Sequence, residues 1–199
     1  MQNTKQVLLE ATFKEIYKNG YQGTSLSKIM QSCELTKGAL YHHFKSKKEI
    51  SLETIKVILG RFIEEYWELP IKNTDTPLET LYERIASFPS AEIFDHTFLT
   101  IKHGCFLNNL IQEMAPLDHD FSILLQDLYG RFENAILLAL ENAQKKGQLS
   151  AEVNTESAAV FITATIEACI TTAKLKNDIN AYKLCTKELQ QYLLSLQSS

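Results

Sequence analysis

Apolar positions recur with helical spacing along the whole chain. Leu9, Phe13 and Ile16 stand at i, i+4 and i+7, the spacing of one buried helix face. Thr4 is placed to cap this first helix, and Asn19-Gly20 to stop it, because glycine accepts a left-handed conformation. A second, short helix starts near Thr24-Ser25, turns Leu26, Ile29 and Met30 inward and ends around Cys33. The stretch "LTKGALYHHF", Leu35 to Phe44, predicts a third. Thr36 suits its N-cap, and Leu35 and Leu40 occupy the positions of a hydrophobic staple. Leu40 and Phe44 share the inward face, while Lys37 with Tyr41 and Gly38 with His42 form i, i+4 pairs turned away from it. Ser46-Lys47-Lys48-Glu49 reads as a capping box that opens a fourth helix, with Leu52, Ile55, Leu59 and Phe62 along one side, running to about Leu69. A loop is expected from Pro70 to Pro77, then helices at 77–87, 91–102, 104–115, 119–146, 155–177 and 180–196. The expected fold is therefore all-α, with about nine or ten helices. It divides into a three-helix head over 1–48, whose helix-turn-helix spans about 25–44, and a larger helical body over 49–199.

Composition changes this picture little. Only 7 glycines and 4 prolines punctuate 199 residues, which disfavours a many-stranded fold. The sequence has no apolar run near 18 residues and no apolar leader with a cleavage site, so neither a membrane span nor secretion is expected, and a cytoplasmic location is. The four cysteines, Cys33, Cys105, Cys169 and Cys185, lie far apart and suggest reduced thiols rather than a zinc site or a disulfide scaffold.

Charge changes it more. Residues 1–48 hold eight lysines against three glutamates, a net of +5, while residues 49–199 hold 12 basic and 21 acidic residues, a net of −9. A basic head on an acidic body points to a nucleic-acid-binding module. In a helix-turn-helix, the second helix enters the major groove and its N-terminal residues reach base edges. Gly38 allows close backbone approach. Thr36 and Lys37 sit at a helix N-terminus that attracts phosphate. Tyr41 offers a ring for a thymine methyl and a hydroxyl for phosphate, and His42 and His43 add donors.

At this point the sequence resembles the tetracycline-repressor (TetR) family of bacterial transcriptional regulators. The resemblance rests on Gly20-Tyr21, Thr24-Ser25, Ile29, Lys37-Gly38, Leu40-Tyr41, His43-Phe44, Lys47 and Glu49. Glu34 stands where many members have glycine, and Met30 where they have alanine. The resemblance implies a DNA-binding head joined through the fourth helix to a body that binds a small molecule and dimerises through its last two helices, at about 155–196. It also implies a repressor that leaves an inverted-repeat operator in double-stranded DNA when its inducer binds. The family's DNA contacts carry over onto Thr24, Ser25, Lys28, Thr36, Lys37, Gly38, Tyr41, His42 and Lys47.

The body offers matching patterns. Tyr182, Cys185, Leu189, Tyr192 and Leu196 are spaced 3, 4, 3, 4, as in a seam for a partner helix. Ala158, Ile162, Thr165, Cys169 and Thr172 form a stripe of mostly small side chains on the preceding helix. Both could equally pack within one subunit; the resemblance favours a homodimer. In "HGCFLNNLIQEM", residues 103–114, Phe106 and Met114 flank a stripe of Cys105, Asn109 and Glu113. This suggests a ligand site there, shared with Tyr66, Tyr129, Phe132 and Phe161, for a mostly apolar inducer. Trp67 and Phe98 are further aromatic candidates. Cys105 is either a thiol sensor or a small core residue. His42-His43 diverge on a helix, and His96, His103, Asp118, His119 and Asp120 give no clear convergence of ligands, so no metal and no cofactor are expected. No phosphate loop, nucleophile elbow, HExxH or CxxC motif supports an enzyme. Three readings remain: a ligand-responsive repressor, a redox or electrophile-sensing repressor using Cys105, and, more remotely, a helical enzyme with an incidental basic head.

Overall fold

The computed structural model describes residues 4–33, 35–88, 92–93, 96–97 and 99–197. Glu34 and Phe98 lie outside them, as does the side chain of His96. The described chain is helical, with two minimal strand pairs, and it gathers into two compact units.

The first unit comprises Met1–Arg61 and Leu107–Leu128. Its N-terminal helices are α1 (Thr4–Asn19), α2 (Leu26–Cys33), α3 (Lys37–His43) and α4 (Lys47–Thr54), with a π-helical continuation at Ile55–Leu59 and the first two residues of the short α5 (Gly60–Phe62). α8 (Phe106–Met114), apart from its first residue, and the start of α9 (His119–Lys145) complete it. The first described residue, Thr4, is already helical. Leu8, Leu9, Phe13 and Ile16 of α1 are buried together with Ile29, Leu40, Phe44 and Ile50. The caps expected for α3 and α4 form, whereas Thr4, expected to cap α1, lies within it. Thr36 Oγ1 accepts from Ala39 N at 3.3 Å, and Ser46 Oγ accepts from Glu49 N at 3.1 Å. Glu49 reaches back to Lys45 N at 2.6 Å, one residue earlier than a standard capping box.

The second unit comprises Phe62–Phe106 and Tyr129–Ser199. It contains a π-helical segment at Ile63–Glu68, α6 (Leu69–Lys72), α7 (Pro77–Ser87), the rest of α9, α10 (Thr155–Lys176) and α11 (Ile179–Ser195). α6 occupies the start of the loop expected at Pro70. Pro70 stands where the π-helical segment passes into α6. The helix expected over 91–102 is also absent among the described residues. Glu92–Ile93 pairs with His96–Thr97, and Leu99–Thr100 pairs with Gly104–Cys105, both antiparallel. The β-branched residues of this stretch favour extended backbone, and Gly104, at φ 72°, ends any helical register.

α10 and α11 pack against one another in this unit. Asn177, left-handed at φ 49°, closes α10, and its N–H is bonded back to Ala173 O and Lys174 O. The close packing pairs Cys169 with Cys185 in a disulfide, with Cα atoms 5.6 Å apart, so two of the thiols expected to be reduced are not; Cys33 and Cys105 take part in no disulfide. The predicted seam is largely internal: Tyr182, Leu189, Ala158, Ile162 and Cys169 are all buried within the protomer. The outward face of the pair instead shows Val160, Phe161, Leu175, Leu184 and Leu194. An 18-residue window of α10 has mean hydropathy 1.4, enough by length and composition to cross a membrane, and half of it is buried here.

Candidate nucleic-acid interface and ligand site

α3 forms because Thr36 satisfies its first turn and Leu40, fully buried, fixes its inner face. The opposite face carries Lys37, Gly38, Tyr41 and His42, all exposed, with Tyr41 at 56%. A Cβ at Gly38 would meet only Thr36 Oγ1, at 3.9 Å, so the backbone here is open to a close approach from outside. The ring of His42 stands edge-on to that of His43, 5.0 Å away.

The remaining sequence-derived contact residues divide by what their polar groups already do. Ser25 Oγ accepts from Lys28 N at 3.3 Å and so caps α2. The ammonium of Lys28 is exposed and donates to Gly23 O at 3.0 Å. Thr24, by contrast, is buried and donates its hydroxyl to Gly20 O at 2.8 Å. The Lys47 ammonium donates to Tyr21 O and Thr24 O at 2.9 and 3.1 Å and sits 4.0 Å from the centre of the Tyr21 ring. In this arrangement Thr24 and Lys47 hold the unit together from within.

The sequence-derived ligand residues fall in both units. Asn109 and Glu113 lie on α8 in the first unit, half-buried. Glu113 is fully engaged there: its two oxygens accept from Tyr21 N at 2.9 Å and Gln22 N at 2.7 Å. Tyr66, Cys105, Phe106, Tyr129, Phe132 and Phe161 lie in the second unit. Phe161 is half exposed and packs edge-on against Tyr192. Tyr66 is buried and donates its hydroxyl to Arg84 O at 2.6 Å. Its neighbours Trp67, Phe88 and Phe132 form one aromatic cluster, with Trp67 and Phe132 centres 4.7 Å apart, and Tyr129 joins at its edge.

Sequence reasoning missed the acid beside this cluster. Glu167, on α10, is buried and accepts the Cys105 thiol proton at 3.3 Å. It is the one charged residue between 157 and 173, and that isolation on an otherwise uncharged helix was the available signal. Its field is felt by its neighbours. Burial first, then the Glu167 carboxylate, raises the Tyr129 phenol above its ordinary range. The Tyr182 phenol is raised chiefly by burial as well, with smaller contributions from Tyr66 and Glu167. A cavity of about 480 Å³ elsewhere in this unit is lined by Thr76, Tyr82, Gln148, Gln190 and Leu193, among others, and by none of the sequence-derived ligand residues. Among the described residues no three His, Cys, Asp or Glu side chains gather in a way that could hold a metal ion.

Comparison with known proteins adds to this geometry. The family model for bacterial regulatory proteins of the tetR family matches residues 8–54. The tetracyclin repressor-like C-terminal domain matches residues 91–189. An uncharacterised HTH-type transcriptional regulator in the lacX 3′ region of Lactococcus lactis subsp. lactis is 31% identical over 180 residues, covering 90% of this chain and 88% of that protein. The HTH-type transcriptional regulator QacR of Staphylococcus aureus is 27% identical over 98% of each chain. Among solved structures, E. coli NemR in its reduced form matches with a TM-score of 0.82 over 99% of this chain and 98% of that one, at 17% identity. A regulatory protein TetR from Rhodobacter sphaeroides matches at 0.75 over 97% and 98%, at 20% identity. At those identities the solved structures speak for the fold alone.

Proposed function

The chain belongs to the tetR family of bacterial regulatory proteins, a family of DNA-binding transcriptional regulators rather than enzymes, and from that premise we propose that it is a cytoplasmic, ligand-released repressor acting as a homodimer. The observation that carries this reading is the face of α3: Lys37, Gly38, Tyr41 and His42 stand exposed on a helix locked to the core by Leu40. Lys37, Gly38 and Tyr41 read the major groove, and Ser25, Lys28, Thr36 and His42 hold phosphates and base edges beside them. Thr24 and Lys47 support that surface from behind. The head is the domain over 1–48, and the body over 49–199 carries the ligand and dimer functions. The outward face of α10 and α11 supplies the dimer contact, since its exposed positions between Ser157 and Thr172 carry no charge and Leu175 and Leu184 are 85% and 68% exposed. Two heads on one two-fold axis require an inverted-repeat operator.

The inducer site is the aromatic cluster of Tyr66, Tyr129 and Phe132 with Cys105, Phe106 and Glu167. Ligand sites combine apolar walls with a few orienting polar groups, and a buried carboxylate favours a cationic or hydrogen-bond-donating ligand. Shifting operator affinity a hundredfold requires about 2.7 kcal/mol of differential binding.

The test is selection of bound genomic fragments, followed by titration of the recovered duplex. Tight binding to an inverted repeat, with affinity falling with salt at a log–log slope of about −0.9 per phosphate neutralised, is the expected result. Equal affinity for random duplex would defeat the proposal. A second reading, thiol sensing, rests on Cys105 lying beside the aromatic cluster outside any disulfide. It predicts that a thiol-directed electrophile releases DNA from wild type but not from Cys105→Ser. The carboxylate opposes it by disfavouring the thiolate that reacts, so the reversible-ligand reading stands first.

A further inference from the structure

We infer that Glu113 is a positioning residue for DNA recognition, the contact through which α8 sets the turn that aims α2 and α3. The inference rests on the DNA-binding reading of the head, and it reassigns a residue that the sequence had placed with the ligand. The turn from Gly20 to Thr24 leads directly into α2. Its amide groups are bound at both ends, Gly20 N to Ile16 O at 2.8 Å and Thr24 N to Tyr21 O at 3.2 Å. Between them, the N–H groups of Tyr21 and Gln22 both end on one carboxylate, at 2.9 and 2.7 Å, from a residue 92 and 91 positions away. Two amides converging on the two oxygens of one ionised group make a charge-assisted, bidentate hold.

The turn is shaped around that carboxylate. Gly20 has φ 72°, and a Cβ there would stand 2.9 Å from each Glu113 oxygen. Lys47 grips the same turn from its carbonyl side, at Tyr21 O and Thr24 O. The Tyr21 ring meets Phe121 of α9 edge-on at 4.7 Å. A second hold sits at the start of α4, where the Lys48 ammonium bonds Asp118 and Asp120, each at 2.7 Å. Residues 107–128 therefore cluster with the head because two sets of ionic contacts fasten them to the turn before α2 and to the helix after α3. A displacement of α8, whose N-terminus directly follows Cys105, reaches the DNA-reading pair through Glu113.

The experiment measures amide hydrogen exchange along Phe106–Met114, a segment with no proposed DNA contact, before and after adding the selected operator duplex. In wild type the duplex should slow exchange in α8 at least fivefold. In Glu113→Gln, which keeps the shape but gives up the charge and one acceptor, the slowing should fall below twofold while α3 remains protected by the duplex. A cap with a purely structural role would lower the melting point yet leave the transmitted slowing intact, and that result overturns the inference. So does wild-type α8 exchange that ignores the duplex. A DNA-free cycle decides the coupling even if no duplex is selected. Gly20→Ala, which drives a methyl against the carboxylate, should speed α8 exchange about tenfold in the wild-type background and less than twofold in the E113A background. Equal effects in the two backgrounds would sink the coupling, whereas loss of duplex selectivity with the cycle intact would sink only the DNA reading.

Discussion

The facing of α3 gives the sharpest test, because its two sides make opposite predictions. Leu40 is fully buried, and truncating it to alanine removes a core side chain from a seven-residue helix that has few others to hold it. The expected cost is about 2–5 kcal/mol of stability, from the lost transfer energy and the cavity left behind. Lys37 and Tyr41 are exposed, so Lys37→Ala and Tyr41→Ala should leave the stability within about 0.5 kcal/mol of wild type. Their effect belongs to DNA binding. A lost base or phosphate contact costs about 1–3 kcal/mol per head. Two heads on one operator double that to about 2–6 kcal/mol, or roughly 30-fold to 20,000-fold in affinity. Circular-dichroism melts measure the first effect, and fluorescence anisotropy with a labelled operator at one fixed salt concentration measures the second. Leu40→Ala melting like wild type, or Lys37→Ala melting early, would refute the facing of the helix and with it the assignment of α3 as the reading element.

Other consequences are open to equally direct checks. Leu184→Glu places a charge on the exposed face of α11 and should give a monomer by light scattering; an unchanged dimer mass would put the interface elsewhere. The Cys169–Cys185 disulfide spans 16 residues, so Cys185→Ser should cost about 3 kcal/mol. That shifts the midpoint by roughly 6–12 °C, an effect that reductant should reproduce in wild type, and four titratable thiols in the native protein would show that the bond does not form. The Asp118 carboxyl is held below its ordinary range first by its bond to Lys48. Its contribution should therefore be complete above the unfolded carboxylate value near pH ~4 and fade as pH falls through the lower folded value. Asp118→Asn should flatten that acid limb of the stability curve, and an unchanged limb would assign it to other groups.

The periodic pattern disclosed most of the helices because burial in this fold is local to each helix face. Leu9, Phe13 and Ile16 predict α1, and Leu40 with Phe44 predicts α3, from spacing alone, and each is buried. Capping is equally local, so Thr36 and Ser46 could be read within three residues of the amides that donate to them. The failures share a different cause. The stretch from Glu92 to Cys105 has apolar residues that fit either period, and its β-branched content together with Gly104 decides for short strand pairs. The disulfide was hidden because Cys169 and Cys185 meet only once the turn at Asn177 folds α11 back on α10. The 3-4 seam was real as a pattern, but periodicity marks an apolar face without saying whether it meets the same chain or another. Burial of Tyr182 and Leu189 within the protomer answers that, and the exposed Val160, Phe161 and Leu184 move the dimer proposal to the other face.

The two glutamates of the candidate sites make the same point about chemistry. Glu113 lies on a polar stripe next to Phe106 and Met114, and an acid in that setting reads as a ligand anchor. A carboxylate near apolar surface needs donors, but backbone amides satisfy it as well as any ligand does, and those of Tyr21 and Gln22 are distant in sequence. Glu167 presented the opposite appearance. It sits among alanines, isoleucines and threonines on a helix that spacing assigned to packing, yet it is the acid buried beside the aromatic cluster. The physical requirement is identical at both positions, and what separates them is the source of the donors. For Glu113 the fold itself supplies two amides from the turn before α2, which makes the residue a sensor of that turn. At Glu167 one donor is a thiol, a weak one, and a stronger donor on an incoming molecule would gain by displacing it. A ligand that binds Glu167 is thus expected to release the Cys105 thiol, and faster alkylation of Cys105 in ligand-saturated than in ligand-free wild type, a gain that Glu167→Gln should lose, would be the mark of that exchange.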